Sequence, residues 1–164
     1  MDPPRPRVPG PVQSVLFRGG AWLLGPICRI ERLDSLARGM ARAMARLTLW
    51  ANRARPSLTL SGVATEWDRM FRESFPASHL TVIGEAGAEG EITAPCPLGF
   101  SGSGDVRACD RAMEYDREMV RRLGGEFRVI ESQATPGVRR CRLAIRLPAE
   151  RDGLARGAMA DPVT

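Results

Sequence analysis

Apolar residues recur at Leu33, Leu36, Met40, Met44, Leu47 and Trp50 in steps of three and four, which draws one face of a helix over 33–55 that ends before Pro56. Arg38, Arg42 and Arg46 stand four apart on another face. Such a helix turns its Leu/Met stripe into a domain and leaves the arginine face solvated, or lays the basic face on anionic lipid or an acidic partner. A shorter helix over 66–74 has Thr65 as its N-cap, Trp67, Met70 and Phe71 on its buried side, and Phe75-Pro76 as its stop. Residues 80–85 and 89–94 read as two strands around Ala86-Gly87-Ala88. A third helix is predicted over 105–123, followed by strands over 127–131 and 138–147 joined through Pro136-Gly137. In the last strand Cys141, Leu143, Ile145 and Leu147 alternate against Arg140, Arg142 and Arg146, so one face is apolar and the other charged. The order helix, helix, strand, strand, helix, strand, strand predicts an α+β domain, an antiparallel sheet covered by helices on one face.

The ends change the picture little. Residues 1–14 hold five prolines and two arginines and are expected to form an extended, disordered arm, and 149–164 a loose, flexible tail. The 164 residues otherwise suit one domain over 15–148, helical over 15–76 and carrying most cysteines over 77–148. Residues 15–30 are apolar but interrupted by Arg18, Gly19-Gly20, Gly25-Pro26 and Arg29, which leaves no run of about 18 apolar residues and no transmembrane segment.

All 24 basic residues are arginine, the pattern of a coding bias, so their number alone does not mark phosphate sites. Their distribution says more. Residues 1–56 carry ten arginines against Asp2, Glu31 and Asp34, a balance of +7, whereas the cysteine-bearing remainder is slightly acidic. This asymmetry leaves room for an anionic partner at the basic helix 33–55 and argues against nucleic acid as the substrate of any chemical site. Cys28, Cys96, Cys109 and Cys141 form no C-x-x-C pair, and the start of the chain lacks a cleavable secretion signal, so reduced thiols and a cytoplasmic location are expected.

The chemistry concentrates in 95–142. Asp105 is placed to cap the third helix, and Val106, Cys109, Met113, Asp116, Val120 and Leu123 follow as one stripe. Asp116 is the misfit, because a carboxylate on a buried stripe costs several kcal/mol unless it is paired or faces a polar pocket. Cys109 lies two turns before it, roughly 10 Å away at about 1.5 Å per residue, which suits two walls of one cavity. Cys141 points inward from the last strand, and Cys96, between two prolines, can join them. Three readings stay open for these cysteines: inert packing, a nucleophilic thiol activated near a helix N-terminus and arginines, or a metal site without a C-x-x-C knuckle. His79 is the sole histidine and builds no two-histidine site. The link 99–104 resembles a phosphate cradle only in its glycines, since it lacks the Gly-Lys-Ser/Thr ending, and is expected to act as a flexible hinge or lid.

The pattern Cys96-Pro97-Leu98, Ala108-Cys109-Asp110, a carboxylate on the helix, then Gly137 and Cys141, resembles the L-2-amino-thiazoline-4-carboxylic acid hydrolase family over about residues 80–147. That resemblance implies a hydrolase opening a small cyclic carbon-nitrogen bond. Cys109 would be nucleophile or pocket thiol, Asp116 general base or anchor for a substrate amine, Cys96 and Cys141 pocket walls, and Arg111 a carboxylate clamp. The family's aspartate stands three residues past the second cysteine, where this chain has Ala112, so Asp116 or Asp110 would have to substitute. Residues 131–141 are also similar to 4-vinyl-reductase-type small-molecule-binding domains, although a cysteine usually stands there in place of Ala134. That likeness implies a non-catalytic sensor or accessory domain with a small-molecule or metal ligand. No cofactor, metal ligand set or oligomeric state is legible.

Overall fold

The computed structural model describes residues 7–74, 78–83 and 87–148; the expectations for 1–6, Phe75-Pro76, the turn at Ala86 and the tail 149–164 lie outside them. The first helix, α1, spans Gly10–Arg29. Residues 10–14 therefore do not belong to an extended arm: Pro11 sits in the first turn, where its missing N–H would have had no helical partner anyway. Ala21, Leu24 and Cys28 form its buried face.

A 3-10 turn at Glu31–Leu33 leads into α2, Asp34–Ala51. The two helices approach so closely that a Cβ at Gly20 would stand 2.5 Å from the Met44 side chain. The buried face of α2 is turned partway from the expected one, with Met40 and Met44 of the expected stripe still packed, partly buried, against the core. Ala37, Ala41 and Ala45 are fully enclosed, while Leu36, Leu47 and Trp50 of the expected stripe are exposed. The reason is electrostatic as well as steric. Arg38 bonds Asp110 and Glu114, Arg42 bonds Glu114, and Arg46 bonds Glu118, a ladder of four-residue steps that fixes which side of α2 faces the next helices. The small alanines let the helices close to within reach of those pairs.

Helix α3, Leu60–Ser74, begins earlier than Thr65. Thr59 is the capping residue, its hydroxyl accepting the Gly62 N–H at 3.2 Å and its carbonyl the Val63 N–H at 3.1 Å. Strands β1 (Ser78–Ile83), β2 (Gly87–Ile92), β3 (Glu126–Glu131) and β4 (Cys141–Arg146) make one antiparallel sheet in the order β1-β2-β4-β3. The fold is thus α+β, with N-terminal helices preceding the hairpin and helices packed on the sheet.

Trp67 of α3 stacks on Phe71 at 4.6 Å and leans on Phe127, and with Leu143, Ile145 and Val120 it forms the core between helices and sheet. On the opposite sheet face Arg140 pairs with Glu91 and Arg142 with Glu89. The third predicted helix is two: α4, Val106–Ala112, and α5, Glu114–Leu123, hinged at Met113. Asp105 caps α4 as expected, its carboxylate accepting the Ala108 N–H. Gly124, with φ of +105°, ends α5, and Gly125 allows β3 to leave where a Cβ would stand 3.0 Å from Val63.

Candidate functional site

A second small core, built on Cys28, Ala41, Phe100, Ala108 and Cys109, lies beside the first. Between the two is a cavity of about 80 Å3. Phe17, Ala21 and Leu24 of α1, Met44 of α2 and Phe71 of α3 supply one wall. Ile92, Ala94 and Cys96-Pro97-Leu98 at the exit of β2 supply another, and Ala112, Met113, Tyr115, Asp116, Gln133, Cys141 and Leu143 close it. The break at Met113 is what turns Tyr115 and Asp116 into this space. The cavity is small, and its walls are apolar, as those of small-molecule sites are.

Its polar groups differ in what they have left to offer. Tyr115 donates to the Thr48 hydroxyl at 3.0 Å and meets Phe17 edge-on at 5.6 Å. Gln133 is saturated: its amide nitrogen donates to the carbonyls of Ile92 and Ala94, each at 2.9 Å, and its amide oxygen accepts from Ser101 at 2.8 Å. Asp116 is 5% exposed, and its Oδ1 meets no donor. The Trp67 indole lies near enough to favour the charged carboxylate, yet its N–H and Oδ1 fall short of a hydrogen bond and both atoms are unpartnered. Burial pushes the Asp116 carboxyl up to about 7, against the smaller opposing influences of Trp67, Arg117 and its own backbone.

The cysteines divide. Cys96 and Cys141 line the cavity and are half-buried, and all four cysteines carry free thiols. Cys109 does not line it. Its Sγ lies 3.1 Å from the Ser132 hydroxyl, and burial pushes the thiol up to about 11 although that hydrogen bond opposes the shift. Negative charge on Cys141 or Cys96 would raise it further. Burial also raises Cys141, against a backbone hydrogen bond from Gln133. No group of three His, Cys, Asp or Glu residues with metal-holding geometry exists among the described residues.

Arg111 is equally far from its expected role. It is 4% exposed, its Nε bonds Asp34 at 2.9 Å and its Nη1 the Cys28 carbonyl at 2.8 Å, so it clasps α4 to the α1–α2 turn. The glycine link is likewise no lid. Gly102 and Gly104 donate to the carbonyls of Gln133 and Ala134, Arg29 bonds the Gly99 carbonyl and covers the Phe100 ring at 4.9 Å, and Phe100 is fully buried. Gly99, Gly102 and Gly104 adopt positive φ, which accounts for the glycines without a phosphate.

Of the five expected site residues, the structure brings Cys96, Asp116 and Cys141 to one cavity and leaves Cys109 behind its wall and Arg111 outside it. Sequence reasoning missed Phe17, Tyr115 and Gln133. Tyr115 had a signal, since it adjoins the misfit carboxylate, whereas Gln133 had none. No protein-family model, curated protein or solved structure matches the chain.

Proposed function

We propose that the protein binds a small, mostly apolar molecule carrying one basic nitrogen, an amine or amidine, held by Asp116. One observation carries this reading: among the described residues, the one buried side-chain acceptor of the cavity without a partner is a carboxylate oxygen in apolar walls. A cationic nitrogen supplies both the charge and the hydrogen bond that Asp116 lacks, and the aromatic and aliphatic walls bury the rest of the ligand.

Ring-opening hydrolysis of a cyclic amidine is the second reading, favoured by a carboxyl held near 7, where it can take a proton from water at neutral pH. In that role Asp116 acts alone. A thiol held near 11 is a poor nucleophile, and Arg111 is already engaged by Asp34 and the Cys28 carbonyl.

Calorimetry with benzamidine, benzylamine and benzoate, on wild type and Asp116→Asn, tests the first reading. Saturable binding of the two cations, weakened at least tenfold in the variant, with benzoate silent, is expected. Equal binding of benzoate, or no effect of the variant, contradicts it. Product formation from 2-amino-thiazoline-4-carboxylate decides whether the second reading holds in addition.

A further inference from the structure

The outer face of the α1–α2 hairpin is not used by the cavity. Most of the exposed large apolar side chains among the described residues lie on these two helices, among them Val15, Leu16, Trp22 and Leu23 on α1 and Leu47 and Trp50 on α2. Trp22 is 76% exposed and Val15 71%. Leu16 and Leu47 line one shallow depression, so the apolar faces of the two helices meet there, and a Cβ at Gly19 or Gly39 would meet nothing within 4 Å. Exposed large apolar side chains concentrated on two adjoining helices are the kind of surface that marks contact with a partner or a membrane.

Charge decides what covers it. At Trp50 the apolar face runs into a groove of about 1030 Å3, counting its open mouth, lined by Arg7, Arg46, Arg53, Arg55 and Arg122. Arg7 lies over the Trp50 ring at 5.1 Å. Arg46 and Arg122 bond Glu118, whereas Arg53 and Arg55 meet no carboxylate among the described residues. The hairpin's described acids, Glu31 and Asp34, sit at its turn and are engaged by Arg107, Arg111 and Arg38. A second copy set face to face would bring arginine to arginine with no acid to meet it. An anionic lipid surface offers acyl chains to the apolar face, phosphates to the groove and an interfacial level for both tryptophans.

We infer that the protein docks on anionic membrane surfaces through the outer face of the α1–α2 hairpin and the adjoining arginine groove. The face lies flat in the interface, as no helix among the described residues is long and apolar enough to cross a membrane. This role is independent of the cavity.

The test is sedimentation of the full chain with vesicles of phosphatidylcholine alone or with about a third phosphatidylglycerol, monitored also by tryptophan fluorescence. The double variant Trp22→Ser/Leu23→Asp and the groove variant Arg53→Ser/Arg55→Ser are run in parallel, with circular dichroism to confirm folding. The inference expects binding to the anionic vesicles only, a blue shift on binding, weakening in about 0.5 M salt, and at least a tenfold loss in the apolar variant and several-fold in the groove variant. No binding by wild type overturns it, as does binding that the apolar variant leaves unchanged. So does a wild-type dimer in ultracentrifugation that the apolar variant dissolves while vesicles capture neither.

Discussion

A carboxyl that is 5% exposed, with one oxygen meeting no donor, is expensive to ionise, and Asp116 carries that cost alone in an apolar wall. Its folded value near 7 lies above the roughly 3.9 of an unfolded aspartate, so the native state holds the proton longer than the unfolded chain does. Stability must therefore fall as pH rises from about 4 to about 7 and level off beyond, by an amount on the order of 2–4 kcal/mol. Asp116→Asn removes that slope. Thermal melts are expected to show the variant more stable than wild type at pH 8, with the advantage gone by pH 4; a constant difference at both values would mean the carboxyl is not buried as described. Asp116 was legible in the sequence because one charge interrupted an apolar stripe. The roles of Cys109 and Arg111 were not, since neighbours in sequence do not say which side of a kinked helix a side chain leaves from, nor that Asp34, 77 positions away, takes the guanidinium.

Between elements, matched columns of charge outweigh hydrophobic ranking. The steps of four in Arg38, Arg42 and Arg46 and in Asp110, Glu114 and Glu118 were both readable, and only together do they show that α2 turns its alanines inward. Leucine and tryptophan are more hydrophobic than alanine, so periodicity alone drew the face too far round, taking in Leu36, Leu47 and Trp50 with Met40 and Met44. Glu118 anchors the ladder: burial would raise its carboxyl, but Arg122, Arg46 and Arg121 prevail and hold it at about 2. Gln133 does the corresponding work at the cavity, stitching the end of β2 to the glycine link through Ile92, Ala94 and Ser101. Gln133→Ala strands these groups and is expected to cost about 2–3 kcal/mol in urea unfolding. A loss below about 0.5 kcal/mol would show that the link is held by its backbone bonds alone. A single glutamine in a loop gives no periodic signal, which is why the link read as a lid.

At the scale of the molecule, the α+β layout expected from sequence is the one observed, although α1 was not expected and Gly87 and Ala88, read as turn residues, begin β2. The cavity followed only in part: Cys96, Asp116 and Cys141 were expected around one cavity and line it, whereas the wall that α1, α2 and α3 supply was not read, because no pattern within one element shows which others close over it. What the gap is suited to depends on one proton. The most direct test is an NMR titration of the Asp116 side-chain carboxyl, alone and with saturating benzamidine. Titration near pH 7 in the free protein, moved well down by the ligand because the cation binds only the ionised form, is the predicted result. A midpoint near 4 that benzamidine leaves in place would contradict both the buried carboxyl and the binding role assigned to it.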